Sequence, residues 1–392
     1  MTNTNLPAHL VSINEATLTP LVQCALDRPA AVVLTWTCET LHGGVGTGTA
    51  VYRFAGQALD QGATVPWSLI LKVLWADPNR ADPAHPEWWC REAEAYRSNT
   101  LARLPAGLAA PRCFAVVERA GEGYWLWLEE ITDRVGSVWP LAHYGVVARL
   151  LGQFNGRYVT GTPLPQWPWL SRDWLRKTVE LTAPALQKLH ENRSHPLVRR
   201  WLNAALQEET LALWQERQRF LTLLDQLPQT LCHFDAFRRN LFTSSDSHGA
   251  TLLVAIDWAF TGQGALGVEI NCLTVIGIAF FDVELAQAQA LDEIVFVGYL
   301  AGLEDVGWRG DPRQVRLAYT AAAIRYVLGT LDPVLEIFLN EQDHARMVQA
   351  MGRPMAAIAD HLGLVYAWLF AQLAEARRLQ ESLGEGQATT IR

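Results

Sequence analysis

Two short apolar runs near the middle of the chain end abruptly in polar residues. Leu231-Cys232 leads into His233-Phe234-Asp235, and Leu252-Leu253-Val254-Ala255-Ile256 leads into Asp257. Runs of this length with polar breaks predict buried strands that present acids at their ends. More strand-like stretches lie upstream, at Ala31 to Thr37, Trp67 to Leu74, Cys113 to Glu118 and Tyr124 to Glu130. The last two flank Gly121-Glu122-Gly123, a hairpin signal. A short helix is expected near Pro20 to Leu26, with Thr19 as N-cap and Pro20 as first helical residue. After residue 140 the period changes. Tyr144, Val147, Leu151 and Phe154 recur at helical spacing, which reads as core packing. Pro163, Pro165 and Pro168 then break the pattern into an irregular loop. Helices are expected over 174–190 and 197–226. From Asn271 to Leu383 the chain reads as helical, with breaks near Gly307 to Pro312 and Gly352 to Pro354.

Composition narrows the class of protein. With 392 residues, 50% of them hydrophobic, the chain can bury a sizeable core. A net charge of -8 argues against a general nucleic-acid binder, which shows a basic face, and is compatible with a cationic substrate. The six cysteines, Cys24, Cys38, Cys90, Cys113, Cys232 and Cys272, include no Cys-x-x-Cys and read as reduced, mostly buried thiols. The polar start, Met1 to Ala8, lacks the basic-then-apolar pattern of a signal peptide. The longest apolar run, around Cys272 to Phe281, is too short to span a membrane. A cytoplasmic protein without nucleic-acid or membrane partners is expected.

The candidate chemistry lies at the ends of the two central runs. Asp235 and Asn240 are five positions apart, and Asp257 lies a hairpin away. All three offer oxygen donors, which a hard cation such as Mg²⁺ takes. In the phosphoryl-transfer template, an Asp accepts the substrate proton, an Asn five positions on holds metal, and a later Asp holds metal. Upstream, Gly43, Gly44, Gly46 and Gly48 crowd a turn between strand-like segments, where backbone amides can approach phosphates. An ordinary Gly-rich hairpin fits the same residues, and no Gly-Lys-Ser/Thr follows to make a Walker loop. Lys72 interrupts the apolar run Leu69-Ile70-Leu71-Lys72-Val73-Leu74. A bare ammonium there is costly without an anion, unless it lies on the solvent face of an edge strand. Glu92 and Glu94 are the candidate partners.

His233-x-Asp235-x-x-x-x-Asn240, followed after a short turn by hydrophobic-Asp257-Trp258, resembles the aminoglycoside phosphotransferase and choline kinase superfamily. The resemblance runs along nearly the whole chain in order, through the glycines, Lys72, Glu92, Asp235, Asn240 and Asp257. It implies an α+β, bilobal, protein-kinase-like fold. The N-lobe, residues 1–132, would be an antiparallel sheet with one main helix. The C-lobe, 133–392, would be mostly helical. It also implies a small-molecule kinase that moves the γ-phosphoryl of ATP or GTP to a hydroxyl. In that scheme Asp235 is the catalytic base, Asn240 and Asp257 hold Mg²⁺, and Lys72 positions the phosphates. Glu92, preferred to Glu94 because it precedes an aromatic at the family's spacing, holds Lys72. Peptide groups from Glu129 to Ile131 bind the adenine edge, and Glu269 serves as a structural carboxylate.

Departures from the family concern the loop. Phe234 stands where Gly is common, and Phe237-Arg238 replaces a His-Pro-like pair. Arg238 and Arg239 are read as structural or solvent-facing rather than phosphate-binding. The acceptor region offers Trp139, Trp167, Trp169, Trp174 and Trp258 with Asp282 and Glu284, which favours a neutral or cationic acceptor, although core packing is the commoner use of any one of these tryptophans. A nucleotide-binding pseudokinase acting as sensor or scaffold is the alternative. A protein kinase is disfavoured by the missing activation-segment pattern.

Overall fold

Alternation of inward apolar and outward polar residues builds a five-stranded antiparallel sheet. The structure, a computed structural model, describes residues 6–41, 48–105, 107–245 and 251–390. The strands are β1 (Val32–Leu41), β2 (Thr49–Asp60), β3 (Ala63–Trp75), β4 (Cys113–Arg119) and β5 (Gly123–Leu128), in the order β1-β2-β3-β5-β4. The two-residue turn at Gln61-Gly62 has both residues at positive φ, the geometry that matches strand twist in a tight hairpin. The register sets Lys72 opposite Val51 on one side and Leu126 on the other, so it sits on a central strand, not an edge. Helix α1 (Glu15–Leu26) covers one face through Leu18 and Val22, which join Trp36, Phe54, Leu69, Leu71 and Trp127 in one core. It starts earlier than the Thr19-Pro20 signal predicts. Asn14 caps it by accepting from the Thr17 N–H at 3.1 Å, and Pro20 lies inside. The Thr19 hydroxyl instead accepts from the Val33 N–H, tying helix to sheet.

The chain divides into two units. The first is Met1–Leu104, Ala109–Arg134 and Phe242–Ala259; the second is Pro105–Leu108, Val135–Leu241 and Phe260–Arg392. Besides the large sheet and α1, the first unit holds α2 (Arg91–Arg97) and most of the strands β7 (Leu241–Ser245) and β8 (Thr251–Ala255). Asp133 accepts from the Thr243 N–H at 3.0 Å and pins β7 there.

The second unit is helical around one small antiparallel pair, β6 (Gln229–Cys232) with β9 (Gly262–Ala265). The glycine-rich stretch after Asp257 is therefore partly strand. The expected 174–190 helix is two, α4 (Trp174–Glu180) and α5 (Ala183–Glu191), parted before Pro184. The 197–226 helix is also two, α6 (Pro196–Trp201) and α7 (Ala204–Gln226), because Asn203 caps α7 by accepting from the Leu206 N–H.

Helix α3 (Leu141–Val159) anchors this unit. Its partner follows α8 (Glu269–Ala279) and is α9 (Ala288–Asp305). The two backbones approach so closely that a Cβ on Gly152 would lie 2.3 Å from the Tyr299 carbonyl, and one on Gly302 2.0 Å from that of Arg149. From α3, Asn155 donates to the Leu231 carbonyl at 2.8 Å and accepts from the Tyr299 hydroxyl, while the Thr230 hydroxyl donates to the Asn155 carbonyl. Two buried hydrogen bonds thus fix β6 just before His233-Phe234-Asp235, and the third holds the Asn155 amide that makes one of them.

The remaining helices are α10 (Pro312–Ala321), α11 (Ala323–Val327), α12 (Leu331–Leu339), α13 (Glu341–Met351) and α14 (Met355–Thr390). The apolar-run argument overlooked α14, whose stretch Met355–Gly384 is long and apolar enough to cross a membrane by length and composition. Ile358, Val365, Leu369 and Leu373 on it are buried, as in a core helix.

Candidate active site

In the first unit, β3 carries Lys72 inward and α2 carries Glu92 to meet it. The Lys72 ammonium lies 2.5 Å from Glu92 Oε2 and donates to Asp257 Oδ1 at 3.0 Å. Glu94, the alternative, turns outward and pairs with Arg97 at 2.8 Å. Lys72 and Glu92 are both buried, a costly arrangement for ions unless they are paired. Burial alone would depress the Lys72 pKa; the charges of Asp257 and then Glu92 reverse this and hold it above its ordinary value. Burial raises Glu92 above the usual carboxylate range; Lys72 opposes the rise and Asp257 adds to it. Lys72 is therefore a fixed cation at neutral pH.

Asp257 follows β8 in the left-handed region, at φ +65°. Asp and Asn tolerate that conformation better than most side chains. Next to it, the Trp258 N–H donates to Glu92 Oε1 at 3.3 Å. The sequence did not single out Arg91, which is completely buried and donates to the carbonyls of Pro86, His85 and Ala259. It fastens the segment before α2 to the turn after Asp257. Gly48 has φ +105°, and its carbonyl accepts from the Trp75 N–H at 2.9 Å. Gly43, Gly44 and Gly46 lie outside the described residues. Glu129 clasps Arg112: its N–H donates to the Arg112 carbonyl and its carboxylate accepts from the Arg112 N–H. That N–H is thereby engaged. Ile131 follows in irregular, half-buried chain. Glu130 accepts from Arg53 at 2.6 Å.

In the second unit, the loop after β6 places Asp235 and Asn240 together. The Asn240 amide donates to Asp235 Oδ2 at 2.7 Å and to the Asp235 carbonyl at 3.0 Å. The Asp235 N–H donates to His233 Nδ1 at 3.2 Å. Glu269, at the start of α8, accepts from the His233 N–H at 2.7 Å and the Phe234 N–H at 2.9 Å. This is the structural carboxylate expected there. Burial lifts its pKa from 4.5 to about 7 against the pull of those two hydrogen bonds. Because the folded chain holds this proton more tightly than the unfolded chain, Glu269's contribution to stability is full below 4.5 and lost as pH rises through about 7. Glu269→Gln turns an N–H donor toward one of the two backbone donors. We expect it to cost about 1–3 kcal/mol and to flatten the fall of the urea midpoint between pH 5 and pH 8; an unchanged midpoint and profile would contradict this role.

The loop arginines are structural. Arg238 and Arg239 converge on Asp282, at 2.9 and 3.5 Å. Asp282 is thus engaged rather than open to a cationic acceptor. In the same region Trp139, Trp169, Trp174 and Trp258 are buried, the core use of such side chains, and of the five only Trp167, 40% exposed, offers a face. Arg325, on α11, was also not singled out. It donates to the Phe234 carbonyl, and its Nη2 lies 4.0 Å from Asp235 Oδ1. A lone cation in the apolar run Ala321 to Leu328 carried the same signal that marked Lys72.

Asn240 and Asp257 are oxygen donors of the kind a hard divalent cation takes. The Asn240 amide nitrogen is spent on Asp235, which leaves its carbonyl oxygen for another partner. The Asp257 side chain keeps 42% of its exposure. Among the described residues, no group of three or more His, Cys, Asp or Glu side chains converges on a common point.

No family model matches the sequence, and no curated protein matches it. Solved structures do. The choline kinase of Cryptosporidium parvum Iowa II aligns with a TM-score of 0.50 at 12% identity, over 86% of this chain and 89% of that one. An aminoglycoside phosphotransferase of Alicyclobacillus acidocaldarius subsp. acidocaldarius DSM 446 aligns with a TM-score of 0.50 at 15% identity, over 93% and 99%. The chain has the α+β, kinase-like fold of these two structures.

Proposed function

We propose that this protein is a phosphotransferase that moves the γ-phosphoryl of ATP or GTP to a hydroxyl of a small neutral or cationic molecule, of the aminoglycoside, amino alcohol, sugar or macrolide class. The observation that carries this reading is the buried Lys72, held charged by Glu92 and Asp257. A fold gains little stability from such a group. A nucleotide's phosphates are the anions it would serve. The glycines Gly43, Gly44, Gly46 and Gly48 would cover those phosphates, and peptide groups from Glu129 to Ile131 would meet the base.

Asp235 would accept the hydroxyl proton. Its side chain is 21% exposed, and Asn240 fixes one of its oxygens. Asn240 and Asp257 would hold Mg²⁺, whose charge would neutralise the phosphate oxygens. Catalysis on this scheme is mostly positioning and charge neutralisation. Asp282 offsets one of the two charges of Arg238 and Arg239. Glu284 stays exposed.

A coupled ADP-release (or GDP-release) assay across these acceptor classes tests the reading. Acceptor-dependent release is expected with one class, together with a change in tryptophan fluorescence on acceptor binding. Preference for a sugar phosphate or a nucleic acid would overturn the acceptor class. Nucleotide binding without release to any acceptor would instead support a sensor or scaffold.

A further inference from the structure

The residue before the proposed base sits in a conformation its side chain disfavours. Phe234 has φ +63°, in the left-handed region. A bulky residue disfavours this conformation, and it persists only where the surroundings impose it. Four contacts do so, all within the second unit. Glu269 takes the Phe234 N–H. The ring stacks on Trp174 with centroids 4.6 Å apart. The ring fills space that only glycine leaves, because a Cβ on Gly264 would lie 2.7 Å from it. Finally, Arg325 donates to the Phe234 carbonyl.

The fourth contact reaches beyond packing. The Arg325 guanidinium lies 4.4 Å from the centre of the Trp174 ring, which locks its plane, and one of its nitrogens is 4.0 Å from Asp235 Oδ1. It therefore grips the peptide that joins the strained residue to Asp235 and faces the Asp235 carboxylate at the same time. Asn240 holds the other carboxylate oxygen. We propose that Arg325 is a positioning residue for Asp235: a cation supplied from α11 that holds the Phe234–Asp235 peptide and sets the rotation of the carboxylate. This rests on the reading of Asp235 as the base that accepts the acceptor's proton.

The test compares Arg325→Met, which keeps the stem and removes the charge, with Arg325→Lys, which keeps the charge but not the fork. For Arg325→Met we expect kcat to fall about a hundredfold while the nucleotide KM stays within about twofold, since nothing in the inference touches the nucleotide. Arg325→Lys should recover only about a tenth of the wild-type kcat. Hydrogen exchange over the loop 231–241 should quicken in the Met variant and less in the Lys variant. An unchanged kcat in a folded Met variant would overturn the proposal. So would a Lys variant no better than Met, or a loss that tracks nucleotide KM. If Arg325→Met fails to fold, the Lys variant carries the test alone: kcat reduced with an unchanged nucleotide KM supports it, and an unchanged kcat overturns it. A wild-type chain inactive toward every acceptor would count against the phosphotransferase reading instead. The exchange comparison would then still report whether Arg325 holds the loop.

Discussion

Asp257→Ala should yield a protein that folds yet transfers phosphoryl groups at least about a thousandfold more slowly. It should also bind nucleotide more weakly when Mg²⁺ is present. Two functions converge on this side chain. It accepts from the Lys72 ammonium, and it is a proposed oxygen donor to the metal. Removing it leaves Lys72 paired with Glu92 alone, so the buried pair survives with its charges balanced. Its backbone demands a second variant. At φ +65° an alanine carries about 1 kcal/mol of strain that aspartate and asparagine largely avoid. Asp257→Asn keeps the conformation and removes the charge. If both variants lose transfer alike and only the alanine variant loses thermal stability, the catalytic loss belongs to the carboxylate. Unchanged turnover in either folded variant would reject Asp257 as part of the machinery.

What could be read beforehand follows from which interactions are local in sequence. Asp235 and Asn240 lie five positions apart on one loop, and the structure closes that loop with the Asn240 amide on the Asp235 carboxylate. Lys72 declared itself by interrupting an apolar strand, and its need for an anion led to α2. The choice between Glu92 and Glu94 is a matter of helix face: they are two residues apart, so only one points at β3. The early start of α1 was missed because Pro20 is a stronger local signal than Asn14, yet the proline sits mid-helix while Asn14 caps.

The support beneath the loop was legible only in part. Glu269 was expected as a structural carboxylate, but its targets, the backbone amides of residues 233 and 234, could not be named. Arg91 and Arg325 act on carbonyls distant in sequence, and a backbone acceptor leaves no mark in the residue pattern. The tryptophans were open to two readings. Aromatic residues near a proposed site look like a binding surface, whereas burial of large side chains is the commoner use of them. Trp174 illustrates it: the ring is core, between Phe234 and Arg325, and it shapes the loop.

Asp235→Asn should separate the acceptor's chemistry from nucleotide binding. The substitution keeps size and the capacity to accept from Asn240, and it removes the base. Loss of general-base catalysis is expected to lower kcat about 10²–10⁴-fold. Nucleotide affinity, titrated calorimetrically with Mg²⁺, should stay within about twofold, because Asp235 is assigned to the hydroxyl and not to the metal. The geometry makes the substitution demanding on one side. Asn240 donates to one Asp235 oxygen and Arg325 faces the other, so the new amide must give its oxygen to one and set its nitrogen against a donor at the other. The loop should therefore loosen somewhat, and part of the lost rate will come from misplacement. Arg325→Met in the Asp235→Asn background resolves that part. If Arg325 acts through Asp235, adding its loss should cost far less than the hundredfold expected in the wild type, since the carboxylate it orients is already gone. A full additional loss would place Arg325 in a role independent of Asp235. A large drop in nucleotide affinity in Asp235→Asn itself would make Asp235 a metal ligand and move the base elsewhere.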